Sequence, residues 1–137
     1  MADFIKFQKT TGNLAKGLFD LDTDTIKLAF SNVAPNAATA EKLVDITQIA
    51  TAGGYTAGGI TVANTGTSQA AGTASLIGDD AEFTATGEAG PLRYVILYDD
   101  TTADDLLLGY WDRGNSVTLY ENDKLTIDFG AAIIALA

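Results

Sequence analysis

Leu92-Arg93-Tyr94-Val95-Ile96-Leu97-Tyr98 is followed, after the turn Asp99-Asp100-Thr101-Thr102-Ala103-Asp104-Asp105, by Leu106-Leu107-Leu108-Gly109-Tyr110-Trp111. The first run is apolar at every position but Arg93. Such a run, rich in β-branched and aromatic residues and too short for an ordinary helix, reads as a central strand covered on both faces. The second run reads as a strand that pairs back on it. Arg93, the one charge in the first run, is expected to pair with an Asp at the edge of the sheet.

Outward from this pair the period is two. Asp24-Thr25-Ile26-Lys27-Leu28-Ala29-Phe30-Ser31 alternates as a half-buried strand. Residues 32–42, with Pro35 as breaker, read as a surface loop, and residues 43–50 as a possible short strand. Ile60 and Val62 mark another strand. Residues 64–72, NTGTSQAAG, are small and polar and read as a turn. TASLI (73–77) and AEFTAT (81–86) read as short strands split by Gly78-Asp79-Asp80. SVTLY (116–120) and KLTIDF (124–129) are expected to form a hairpin across Glu121-Asn122-Asp123-Lys124. AAIIALA (131–137) is read as a last strand.

About nine or ten short strands, with turn signals roughly every 8–12 residues and no alternating helices, predict an all-β chain. The expected architecture is a single antiparallel β-sandwich or jelly-roll-like barrel with a short N-terminal arm and helix. The arm spans residues 1–18, with its helix around residues 12–17, and the β-sandwich domain spans residues 19–137. Phe4, Phe7, Thr11, Leu14 and Leu18 fall at helical spacing, interrupted at residues 10–13. That apolar stripe must be covered, by its own domain or by a partner, and contacts outside the β-domain are expected.

Composition narrows function. The 137 residues include no Cys and no His. This excludes thiol nucleophiles, Ser-His triads, Cys/His zinc sites and disulfide frameworks. Lys and Arg number 8 against 18 Asp and Glu, for a net charge of −10. Such a surface repels phosphate, so neither nucleic acid nor an anionic membrane is an expected partner. The start MADFIKFQKTTGN has no apolar stretch of a targeting signal, and synthesis in a cytoplasm is expected.

Three motifs suggest chemistry and each has a plainer reading. Asp20, Asp22 and Asp24 alternate as at the start of a Ca²⁺-binding EF-hand loop, but Thr25 and Ser31 stand where that loop needs Gly and Glu. The turn 99–105 carries Asp99, Asp100, Asp104 and Asp105 and reads as an acidic hairpin loop. Gly53-Gly54-Tyr55-Thr56-Ala57-Gly58-Gly59 has the glycines of a phosphate loop without its Lys-Ser/Thr. No catalytic residue, cofactor or obligatory metal is therefore expected, and the chain is read as a non-enzyme. Candidate interface residues are Phe4, Phe7, Leu14 and Leu18 of the arm, Tyr55 of the Gly-rich stretch, and Tyr110, Trp111 and Arg113 of GYWDRG, with a Tyr55 tucked between its glycines and a core Trp111 at a strand end as the plainer readings. Trp, Tyr and Arg are the types enriched at binding hot spots.

The order DTDTIKLAF…NVAP, DITQIA..GGYTAGG, RYVILYDDT…LLGYWDRG.SVTL and KLTIDF resembles a group of small virion proteins of tailed bacteriophages, over residues 14 to 130. The resemblance implies a β-rich structural subunit of the capsid decoration, or cement, type. Its implied partners are the major capsid protein and further copies of itself, as a homo-oligomer and possibly a trimer. The implied location is the capsid surface of the virion. A tail or fibre component contacting the host, or a carbohydrate-binding β-sandwich module built on Trp111, are the alternatives.

Overall fold

A computed structural model describes residues 3–130 and 132–136. Ten strands and one short α-helix are present among them, in the order β1 (Phe4–Lys6), α1 (Gln8–Ala15), β2 (Ile26–Ser31), β3 (Ile60–Thr61), β4 (Asn64–Ala70), β5 (Thr73–Gly78), β6 (Ala81–Thr84), β7 (Ala89–Asp99), β8 (Leu106–Leu119), β9 (Lys124–Ile127) and β10 (Ile134–Leu136). The chain is thus mostly β, with antiparallel sheets in a sandwich-like arrangement.

A five-stranded sheet, ordered β1-β8-β7-β2-β3, forms the central layer. Its middle strand is β7, and residues 94–99 of it are all buried, as a strand without a polar face requires. Pro91 can donate no ladder hydrogen bond, and the register of β7 on β8 shifts between Ala89 and Leu92. On one face, Ile26, Leu28, Phe30, Val95, Leu97 and Trp111 pack against residues of two small sheets, β10-β5-β4 and β6-β9. On the other, Ala29, Ile96, Tyr98 and Leu107 are covered by Phe7, Ala40 and Ile46. The side chains on successive positions of β7 feed the two cores alternately, as period two demands.

Several sequence expectations are corrected. Residues 64–70 are strand β4, not a turn. Only Ala71 and Gly72, both at positive φ, make the turn into β5. β9 pairs with β6, Ala81 opposite Ile127, rather than with β8. At residues 120–123 the Asp123 carboxylate accepts the Tyr120 N–H, while Ala85 exchanges backbone hydrogen bonds with Asn122 and Asp123. That turn carries the chain from the large sheet to a small one. Residues 43–45 form a 3-10 helix, and residues 46–50 touch the ladder through a bridge from Gln48 to Ser31. The terminal run 131–137 does hold a strand, β10 on β5, although residues 131 and 137 lie outside the described residues.

The helix also lies earlier than the glycines suggest. It runs from Gln8 to Ala15 and contains Gly12. It ends at Gly17, whose positive φ lets Leu18 N–H reach Asn13 O and Gly17 N–H reach Leu14 O. This pair of bonds is the Schellman stop that glycine favours.

Candidate functional site

The residues read as an exposed docking set divide into buried and exposed members. β1 is the edge strand beyond β8, with Phe4 opposite Trp111 and Lys6 opposite Gly109. The Phe4 ring meets the Trp111 ring edge-on at 5.1 Å. A Cβ on Gly109 would stand 2.1 Å from the Phe4 ring, so this glycine is what admits the arm. Phe7 is wholly buried and lies 5.4 Å from the Tyr110 ring. Thr10 Oγ1 donates to Leu107 O at 2.8 Å. Of the two readings of the arm, packing on its own domain holds for Phe7, which the chain's own sheet buries, while Phe4 is half-buried on that sheet. Met1 and Ala2 of that arm lie outside the described residues. Leu14 is half-buried, and Leu18 is exposed.

Tyr55 is likewise not displayed. It is 1% exposed, stacked on Phe30 at 5.4 Å and edge-on to Phe83 at 6.4 Å. Its hydroxyl donates to Gln48 Oε1 at 2.6 Å and accepts the Phe30 N–H at 3.2 Å. Gln48 Oε1 also accepts the Gly58 N–H at 2.8 Å, and Tyr98 Oη donates to Gly58 O. Gly59, at φ +80°, has Leu28 O 1.7 Å from where a Cβ would stand. The glycines of GGYTAGG therefore let a loop lie flat on β2 while Tyr55 plugs the core. Burial raises the Tyr55 and Tyr98 hydroxyl pKa values above their ordinary range. Gln48, which joins the loop to β2, is a residue that sequence reasoning missed.

GYWDRG is split by strand parity. Trp111 faces the main core at 4% exposure, Tyr110 lies half-buried on the opposite face, and Arg113 is exposed. Arg93 pairs with an Asp as expected, on the adjacent strand β8 rather than at the sheet edge, with Nε and Nη2 donating to the two Asp112 oxygens at 2.8 and 3.1 Å. The Arg93 hydrogen bonds, then the Gly114 N–H, hold the Asp112 carboxyl below its ordinary pKa.

The two acidic motifs, far apart in sequence, close on each other. Asp100 N–H donates to Thr25 O at 2.9 Å and Thr25 N–H donates to Thr101 Oγ1 at 2.8 Å. Asp99 is wholly buried. Its Oδ1 accepts the Thr101 N–H at 3.0 Å, and its Oδ2 has no hydrogen-bond donor among the described residues. Asp24 precedes Thr25, whose backbone is bonded to Asp100 and Thr101, and its carboxyl acts on Asp99. Burial first, then Asp24, pushes the Asp99 carboxyl up to about 8. Burial and Asp100 raise Asp105 as well. Among the described residues no group of three or more acidic side chains is placed to hold a metal ion.

No family model, curated protein or solved structure matches this chain.

Proposed function

We propose that this chain is a structural subunit of a tailed-bacteriophage virion, a decoration protein on the outer capsid surface that bridges neighbouring major capsid subunits. It self-associates, as a trimer in the form we favour, and stabilises the shell through many repeated contacts whose effects multiply across the lattice. The observation that carries this reading is where the resembling stretches lie. DTDTIKLAF meets RYVILYDDT through Thr25, Asp24, Thr101 and Asp99. DITQIA and GGYTAGG meet β2 through Gln48, Tyr55 and Phe30. RYVILYDDT and GYWD are paired strands, with Val95 opposite Trp111. The distinctive residues are thus spent on holding a β-scaffold, which suits a protein whose work is mechanical.

What remains for contact is a sparse exposed set. Ile5, Leu18, Val33, Val44 and Tyr120 are exposed, and so are residues 67–72 of the β4–β5 hairpin. A sugar-stacking reading needs Trp111 on the surface, and Trp111 is in the core. A net charge of −10 keeps copies soluble until a specific surface captures them. Cryo-electron microscopy of particles from the source of this chain tests the proposal. The expected result is density for this domain at regular positions between capsid subunits. Its absence from purified particles, checked by mass spectrometry, would overturn the reading, and its presence only in the tail would move it to the fibre alternative.

A further inference from the structure

Asp99 sits on the core face of β7, two residues beyond Leu97, at the mouth of the main core. Of its two oxygens one accepts a backbone N–H and the other meets no donor, while a second carboxyl, Asp24, stands against it from the turn 20–25. Two ionised carboxylates in such contact repel in a poorly solvated place, whereas one proton between them turns repulsion into a hydrogen bond. We propose that Asp99 holds a proton against Asp24 and so forms a latch that fastens the turn 20–25 to the turn 99–105, firm in acid and loosening as the solution becomes alkaline. This inference stands independently of the virion reading.

The other charges nearby act on one another. On the turn 99–105, Asp100 and Asp104 act on Asp105. Asp20 and Asp22 share the turn with Asp24. The Asp20 N–H donates to Asp24 Oδ2 at 3.1 Å, and Asp22 Oδ1 accepts the Thr67 N–H of β4 at 2.9 Å. The nearby cations are committed elsewhere: Lys27 of β2 acts on Asp105, and Lys42 pairs with Asp104 at 3.5 Å. No Lys or Arg pairs with Asp99 among the described residues. The backbone bonds Asp100 N–H to Thr25 O and Thr25 N–H to Thr101 Oγ1 are what the latch protects.

The sign follows from linkage. Asp99 binds its proton more tightly in the closed form than in the open one. The latch is therefore fully fastened below the ordinary carboxylate range and loses strength up to about pH 8, where the closed form itself ionises. In native-state hydrogen exchange, corrected for intrinsic base catalysis, the opening constant at Thr25, Asp100 and Thr101 is expected to rise by up to roughly tenfold per pH unit over this range. Asp99→Asn supplies a permanent N–H donor to Asp24 in place of the proton, and its opening constant is expected to stay flat. In the wild-type protein, the Asp99 carboxyl ¹³C signal is expected to titrate near pH 8. A titration in the ordinary carboxylate range, or a flat wild-type opening constant, would overturn the proposal, and the ¹³C reading holds even where Asp99→Asn fails to fold. So would millimolar Ca²⁺ restoring protection in alkali to the wild type but not to Asp99→Asn, since the pair would then be a cation site.

Discussion

Two segments close against the β7–β8 pair, the segment 4–15 and the turn 20–25, and they do so with opposite chemistry. The first is held by apolar rings: Phe4 on Trp111 over the bare Gly109 backbone, and Phe7 buried beside Tyr110. The second is held by a carboxyl pair and backbone hydrogen bonds, with Asp99 sunk at the core edge. Ring burial does not respond to protons, and a buried carboxyl such as Asp99 does. The difference implies that the arm is a permanent part of the fold, while the acidic turn is the part that solution conditions can loosen.

The most severe way to break this comparison is to delete residues 1–10. If the arm belongs to the core, the deletion removes Phe4, Phe7 and the Thr10 bond together, and the remainder is expected to lose more stability than any single substitution costs. Denaturant melts compared with the full chain measure this. A truncated protein that keeps its midpoint but loses self-association would make the arm a docking element after all. Phe7→Ala, the next largest, is expected to cost about 3–5 kcal/mol, the usual cost of emptying a well-packed Phe site. Its cost should be the same at about pH 5 and about pH 8, because no titrating group faces that ring in the way Asp24 faces Asp99. A pH-dependent cost would blur the distinction between the two segments.

Tyr55→Phe sharpens the comparison from the polar side. It keeps the ring stack on Phe30 and removes only the hydroxyl, leaving the buried Phe30 N–H without that acceptor. The expected cost is about 1–3 kcal/mol, the penalty of an unsatisfied buried donor. Thermal melts of the variant against wild type read it. A cost below a few tenths of a kcal/mol, on the order of a surface change, would mean that the loop 53–59 is held by its glycines alone.

The central strands were legible because β2, β7 and β8 carry long apolar or period-two runs. β4 was not, because Thr67, Ser68, Gln69 and Ala70 are exposed and offer no apolar alternation to detect. The β6–β9 pairing is non-local, and no residue of KLTI states which strand it will meet. Parity separates the members of the candidate interface set. Tyr110 and Trp111 are neighbours in sequence and so face opposite layers, and a Tyr among glycines is as well suited to plugging a core as to display. Arg93 was legible because a lone charge in a buried run must find a partner, and Asp112 is that partner. Asp99 had a readable signal as well. Continuing the alternation Val95, Leu97 places it on the core face, which sets it apart from the other carboxylates of its turn.

The smallest expected effect comes from Arg93→Gln, and it separates the two kinds of carboxylate by sign. Arg93 and Asp112 join β7 to β8 at side-chain exposures of 37% and 34%, where solvent and salt weaken an ion pair. Asp112 is held below its ordinary pKa by Arg93, so the stabilisation it carries is present above its unfolded value of 3.8 and is lost as pH falls through the folded one. Asp99 is shifted the other way and loses its contribution as pH rises toward about 8. Arg93→Gln is therefore expected to flatten only the acid limb of a stability–pH profile, leaving the alkaline decline intact. At neutral pH its melting temperature should drop less than that of Tyr55→Phe, and the gap to wild type should shrink in about 1 M salt, where the screening length is only about 3 Å. Asp99→Asn is expected to flatten the alkaline decline and leave the acid limb in place. If Arg93→Gln also removed the alkaline decline, the two carboxylates would be coupled through β7. The acidic turn would then be no separate device but one end of a continuous charge network.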